Sequence, residues 1–238
     1  MKRGPFSIII PVYNHADEIV SVVKEALALD MPIIVVDDGS TDSTYDRIKG
    51  LAGITILRHE VNRGKGEAII TGFKAASDTS EWAITIDADG QHHPGDCLNL
   101  IKAIPKGKRP IIVGKREGMY SAEVPWSSRF GREFSNFWVR ASGGPAIKDT
   151  QSGMRIYPLP ETLKLPVTAR RFQFEVEILV KASWRGIPII EAPINVTYQP
   201  GKKRVSHYRG FVDFMRNAAT FSRLIFMRIV IPAPLRAR

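Results

Sequence analysis

The 238-residue chain is 44% hydrophobic and carries 34 Lys and Arg against 24 Asp and Glu, a formal net charge of +10, so it can bury one sizeable core and favours anionic partners. No zinc-finger, RNP or basic-zipper pattern is present, which counts against nucleic acid, and no window approaches the ~20 uncharged apolar residues that span a bilayer, so the chain reads as soluble or membrane-surface bound. The single cysteine, Cys97, cannot close an internal disulfide and reads as a small buried hydrophobe in a reducing compartment.

In chain order, residues 6–10 are an apolar run stopped by Pro11 with no small-residue cleavage site behind it, which reads as a strand and not a signal peptide despite Lys2 and Arg3. A helical pattern over 17–29 follows, then a β-branched run at 33–36, a helix over 44–51, a strand at 54–57, a helix over 67–76 and a strand at 82–86. This βαβα punctuation predicts an α/β fold with a mainly parallel sheet flanked by helices, where ligands bind at the carboxyl ends of the strands. The second half is less regular. It offers a strand at 111–113, a basic aromatic helix over 130–141, breaks at Gly143, Gly144 and Pro145, a helix over 174–184 closed by Gly186, and one or two strands within 189–198.

Strand 33–36 runs into Asp37-Asp38-Gly39-Ser40. Ionised carboxylates there accept hydrogen bonds from a base imide or ribose hydroxyls, which suits a nucleoside; the competing reading is a cap for the next helix. Strand 82–86 runs into Asp87-Ala88-Asp89-Gly90-Gln91-His92-His93-Pro94. Two carboxylates two residues apart on a turn can converge on one hard cation, and Gln91 adds an amide oxygen, the oxygen-rich set that Mg2+ or Mn2+ prefers. Adjacent histidines on a turn more often line a pocket or face solvent than bind zinc. Between the acidic turns lies His59-Glu60-Val61-Asn62-Arg63-Gly64-Lys65-Gly66, where Arg63 and Lys65 can meet phosphate oxygens and the following helix start favours an anion. The P-loop spacing is missing.

Ile10-Pro11-Val12-Tyr13-Asn14, Asp37-Asp38-Gly39-Ser40, Asn62-Arg63-Gly64-Lys65-Gly66, Asp87-Ala88-Asp89-Gly90-Gln91 and Gln151-Ser152-Gly153, in that order within residues 6–207, resemble the family 2 glycosyltransferases. The likeness is greatest to the polyprenyl-phosphate glycosyltransferases, such as dolichyl-phosphate mannose synthases. The resemblance implies a GT-A fold, Rossmann-like with a mainly parallel sheet, and a metal-dependent, inverting transfer from a UDP- or GDP-sugar to a lipid phosphate. It puts Pro11, Tyr13, Asp37 and Asp38 around the nucleoside, Arg63, Lys65 and Asp87 on the rest of the nucleotide sugar, and Asp87, Asp89 and Gln91 on Mg2+ or Mn2+. It makes Asp89, Arg116 and Arg129 the catalytic groups, the two arginines receiving the acceptor phosphate, and brings Arg204 and Ser206, in Arg204-Val205-Ser206-His207, over the donor diphosphate or the acceptor. The chain departs from relatives in having His15 where they carry Glu, with Glu18 as the nearby substitute. The Glu-Asp base of hydroxyl-glycosylating relatives is replaced by Lys148-Asp149-Thr150.

A sugar hydroxyl must lose a proton as it attacks, whereas a phosphate monoester with a second pKa of about 6 is largely deprotonated at neutral pH. A phosphate acceptor therefore needs cations and no base. The rival readings are transfer to a hydroxyl of a glycan, glycolipid or protein with Asp149 as base, and a non-catalytic nucleotide-binding protein.

Over 211–231, Asp213, Arg216, Asn217, Thr220, Arg223 and Arg228 fall in one polar arc and leave a wide apolar one. This predicts a catalytic domain over 1–208 and a C-terminal amphipathic helix within 209–238. The helix either lies in a headgroup layer with its arginines toward anionic lipid or packs on the core, a homodimer partner or a membrane protein. The expected location is cytoplasmic, peripheral on the cytoplasmic face of a membrane.

Overall fold

A computed structural model describes residues 4–117, 126–196 and 210–236. Its first half alternates β1 (Gly4–Val12), α1 (Ile19–Leu27), β2 (Ile33–Asp37), α2 (Thr44–Ile48), β3 (Ile54–Arg58), α3 (Lys65–Ala76) and β4 (Ser80–Thr85). Then come α4 (Cys97–Lys102), β5 (Ile111–Arg116), α5 (Trp126–Ala141), β6 (Arg155–Pro158), α6 (Phe174–Trp184), β7 (Ile189–Ile194), α7 (Gly210–Val230) and α8 (Ala233–Arg236).

The strands form one seven-stranded sheet in the order β3-β2-β1-β4-β6-β5-β7. All neighbours are parallel except β6, which runs antiparallel to both β4 and β5. The near-continuous apolar runs of β1, β2 and β4 follow from burial on both faces. Ile8, Ile10, Val35 and Ile84 point into a core shared with α1 and α4, and Ile9, Ile34, Val36 and Ala83 into a second core beneath α3 and α6.

One expectation changes here: residues 155–158, for which the sequence suggested no strand, form β6. The strand expected within 189–198 is present as β7, followed among the described residues by an isolated bridge between His92 and Val196. The antiparallel course of β6 positions the site. Because it runs opposite to its neighbours, its leading loop, residues 149–153, arrives at the carboxyl ends of β4 and β5 beside Asp87 and Arg116.

Helix α7 docks on α5 and α6 through Phe221 and Leu224, which join Val139, Val176 and Val180 in a third apolar cluster. Its polar arc faces the protein. Asp213 and Asn217 are buried, Arg223 Nη2 lies 2.8 Å from Glu177, and Arg228 Nη1 donates to the Ala141 carbonyl at 2.5 Å. Outward-facing arginines were one expectation for this helix; instead Arg223 and Arg228 bond inward, and Phe211, Met215, Phe226 and Ile229 stand exposed on the opposite side.

Candidate active site

The acidic turn after β4 is the centre of the site. Asp87 Oδ1 lies 2.7 Å from Lys65 Nζ, and Lys65 also reaches Glu175 Oε1 at 2.5 Å from the first turn of α6. Burial works against charge on Asp87, but Lys65, then His92 and Arg116, outweigh it and hold the carboxyl at about 2. Burial likewise opposes the charged lysine, yet Asp87 and Glu175 keep Lys65 well above the usual lysine range. Asp89 Oδ1 accepts the Gln91 backbone N–H at 3.0 Å, which sets the tight turn. His92 is buried, its Nδ1 lacks a hydrogen-bond partner among the described residues, and burial lowers its pKa against the pull of Asp87 and Asp89.

Facing this turn is Gly153, where a Cβ would meet Asp87 Oδ2 at 2.2 Å. Only a glycine leaves Asp87 its place. The loop around it is held by Arg155, which is fully buried and donates to the carbonyls of Ser152 (2.6 Å), Glu175 (2.7 Å) and Thr150 (2.8 Å). Thr85 Oγ1 adds a bond to the Gly153 carbonyl at 2.7 Å.

Arg116, at the end of β5, grips Asp149 through Nε to Oδ2 at 2.7 Å and Nη2 to Oδ1 at 2.8 Å, and its backbone N–H reaches Oδ2 at 3.2 Å. Asp149 is fully buried. Arg129 is half-buried in the first turn of α5, and its Nε has no hydrogen-bond partner among the described residues.

At the other acidic strand end, Asp37 Oδ1 accepts the Ser40 backbone N–H at 2.9 Å and Oδ2 lies 3.0 Å from Arg58 Nε. The Arg58 guanidinium sits 4.1 Å above the Tyr45 ring. Asp38 accepts the backbone N–H groups of Arg63 (2.9 Å) and Gly64 (2.7 Å), and its Oδ1 is 2.7 Å from His59 Nδ1. The Glu67 N–H goes to the Arg170 carbonyl at 2.9 Å. The backbone N–H cradle expected for an anion is therefore largely taken by protein acceptors, because Asp38 is close enough to claim two of its groups. Pro11 is buried in β1 opposite Val36, Tyr13 is half-buried just beyond, and the Arg63 side chain is exposed. Arg204 and Ser206 lie outside the described residues.

Glu18, the substitute for the missing acidic residue, lies with Cγ 3.7 Å from the position a Gly90 Cβ would take, against the acidic turn. Sequence reasoning missed Glu175, Arg155 and Arg58. Glu175 and Arg58 act through partners distant in the chain, Lys65 and Asp37, and Arg155 bonds backbone carbonyls, which carry no side-chain signal.

Among the described residues no three His, Cys, Asp or Glu side chains converge as a ready-made cation cage. The donor set still fits Mg2+ or Mn2+, which are typically held by one or two carboxylates with substrate phosphates completing the shell. Asp87 is ionised, Asp89 lies two residues on, and Gly153 leaves Asp87 room.

The family model of glycosyl transferase family 2 matches residues 7–158. The UDP-N-acetylglucosamine–dolichyl-phosphate N-acetylglucosaminyltransferase of Methanococcus voltae is 32% identical over 244 residues, covering 93% of this chain and 95% of that protein. The dolichyl-phosphate beta-glucosyltransferase of Dictyostelium discoideum is 28% identical over 223 residues, covering 83% of this chain and 68% of that protein. Glucosyl-3-phosphoglycerate synthase from Mycobacterium tuberculosis, crystallised with Mn2+, UDP and glucosyl-3-phosphoglycerate, aligns with a TM-score of 0.70 at 21% identity over 96% of this chain and 81% of that one, which shows a shared fold.

Proposed function

The chain belongs to glycosyl transferase family 2, and from that premise we propose that it moves a hexose from a UDP- or GDP-sugar to a polyprenyl phosphate with inversion at the anomeric carbon. The observation that carries this choice of acceptor is the state of Asp149. The carboxylate that a hydroxyl acceptor would need as base is buried and held by the forked Arg116 pair. A base must be free to take a proton; a phosphate acceptor asks for none. Relatives whose names specify dolichyl-phosphate acceptors support the same reading.

Asp87, Asp89 and Gln91 would hold Mg2+ or Mn2+, which when bound supplies positive charge for the departing diphosphate. Arg63, exposed at the loop before α3, adds a cation for the donor. Arg116, oriented by Asp149, and Arg129, in the first turn of α5, align the incoming phosphate with the anomeric carbon. They offset a repulsion of about 4 kcal/mol for unit charges 4 Å apart at an effective dielectric of 20. Close packing against Gly153 keeps Asp87 in place, and Lys65 keeps it charged against the opposing effect of burial.

The same reading makes the enzyme peripheral on the cytoplasmic face of a membrane. Phe211, Met215, Phe226 and Ile229 form an exposed stripe on α7, and Phe130 and Phe137 stand exposed on α5. No helix among the described residues is long and apolar enough to cross a membrane, and the net charge of +10 suits anionic headgroups. The deciding experiment offers radiolabelled UDP- and GDP-sugars with Mn2+ to polyprenyl phosphate and to the matching polyprenol. Product from the phosphate alone is expected, and product from the free alcohol would overturn the acceptor assignment.

A further inference from the structure

Glu177 is fully buried in α6, and its carboxylate joins three segments. Oε2 accepts the backbone N–H groups of Ala169 at 2.7 Å and Thr168 at 3.2 Å. Oε1 lies 2.8 Å from Arg223 Nη2 of α7 and 3.3 Å from Lys181 Nζ. Arg223 Nη1 also donates to the Thr168 hydroxyl, and that hydroxyl donates to Glu177 Oε1 at 3.3 Å. The C-terminal helix is thus bonded to segment 168–169 through one buried anion.

That segment leads directly into the wall of the donor loop. The Arg170 carbonyl accepts the Glu67 N–H at 2.9 Å, and Arg171 Nη1 donates to Asn62 Oδ1 at 3.2 Å. The approach is close: at Gly64, where φ is +101°, a Cβ would meet the Arg170 carbonyl oxygen at 2.6 Å. Two residues before Glu177 on the same helix, Glu175 holds Lys65, which holds Asp87. A continuous series of short contacts therefore runs from α7, through Arg223, Glu177 and residues 168–171, to loop 62–67.

We propose that Arg223 and Glu177 are positioning residues through which the seat of the C-terminal helix sets the geometry of the donor-diphosphate loop. The assignment of loop 62–67 to the donor diphosphate rests on the proposed function; the mechanical coupling does not. A buried carboxylate that loses one of two cationic partners holds its remaining donors in a changed arrangement, and packed elements shift between discrete seats more readily than they deform. The apolar outer face of α7 and the inner grip of Arg223 lie on one helix, so whatever covers the outer face also bears on the donor loop.

The test uses Arg223→Met, with Arg223→Lys as the charge-conserving comparison. Arg223 is 42% exposed, so its replacement leaves the cores intact. Hydrogen exchange is expected to accelerate about tenfold at the amides of Ala169 and Glu67 in R223M, the effect of losing one hydrogen bond to a charged group, and to stay unchanged at Ile84. R223K recovers most of the protection. Calorimetry with UDP and with GDP in the presence of Mn2+ is expected to show about tenfold weaker binding in R223M for whichever nucleotide the parent protein binds. Unchanged protection at Glu67, or an R223K no better than R223M, overturns the coupling. A parent protein that binds neither nucleotide defeats the donor assignment, and exchange at Glu67 then decides the coupling by itself. Should R223M fail to fold, Glu177→Gln, which keeps the shape and one acceptor oxygen, is read by the same measurements with the same expected direction.

Discussion

Arg116 and Asp149 share two parallel hydrogen bonds of 2.7 and 2.8 Å across 33 positions of chain, and the carboxylate is wholly buried beneath the guanidinium. The pairing makes Asp149 an orienting group for Arg116. In Asp149→Asn, transfer to polyprenyl phosphate is expected to fall by about 10- to 100-fold, as Arg116 loses its charged anchor, with the shape of the pH–rate profile retained. Loss of the ascending acid limb in that variant would mark Asp149 as a base and restore the hydroxyl-acceptor reading.

Asp89 accepts the Gln91 N–H within its turn and lies outside the apolar cores of the described residues, so its replacement leaves those cores untouched. Asp89→Asn is expected to cut sugar transfer by about 10²- to 10³-fold and to erase the Mn2+ dependence of nucleoside-diphosphate binding, while the thermal midpoint moves little. Full activity would refute the metal assignment.

Gly153→Ala tests the shape of the same centre from the opposite wall. A Cβ there overlaps both Asp87 carboxylate oxygens, at 2.2 and 2.4 Å, so Asp87 must leave its position and its pairing with Lys65. Calorimetry should find metal-dependent nucleotide binding lost, with a destabilisation of about 1–3 kcal/mol typical of overpacking. Wild-type binding would show that Asp87 is not confined there.

Burial, and secondarily Asp96, pushes the Cys97 thiol from 9.0 up to about 12. The folded state therefore holds this proton more tightly than the unfolded chain, so its contribution to stability is intact below pH 9.0 and is lost as pH rises toward 12. Iodoacetamide at pH 8 should leave the native protein unmodified and label it stoichiometrically in urea, as mass spectrometry would show; native labelling would contradict the burial.

Phe226→Glu with Ile229→Glu replaces two exposed apolar side chains of α7 by charges that cost the fold little. Flotation with phosphatidylglycerol-containing vesicles should capture the parent protein and lose the double variant. Equal flotation, or a parent dimer that the variant abolishes without any vesicle binding, would assign the stripe to a second copy of the chain instead.

The central parallel strands were legible because β1, β2 and β4 are buried on both faces, and runs such as Ile8-Ile9-Ile10 and Ile33-Ile34-Val35-Val36 announce that without any tertiary information. Strand β6 was not, because four residues beginning with an arginine carry no apolar run, and Arg155 is tolerated there through the carbonyls of residues 150, 152 and 175. The two acidic turns could be located from sequence, but the protein groups that hold them could not. Asp38 serves the loop that follows it, and Lys65 finds Glu175 across 110 positions. On α7 the periodicity revealed two faces and left open which one the protein keeps. The buried charge of Glu177, matched by Arg223, settles that the polar face turns inward.

The placement of β6 also dictates an order of assembly during synthesis. β5 leaves the ribosome before β6, yet the described pairing gives it only β6 and β7 as neighbours, and β4 meets β5 through β6 alone. Until residues 155–158 emerge, the nascent protein is a four-stranded half with the edge of β4 uncapped. Chains truncated before Arg155 should therefore be captured by chaperones or precipitate, whereas a stop after β7 leaves that edge sealed.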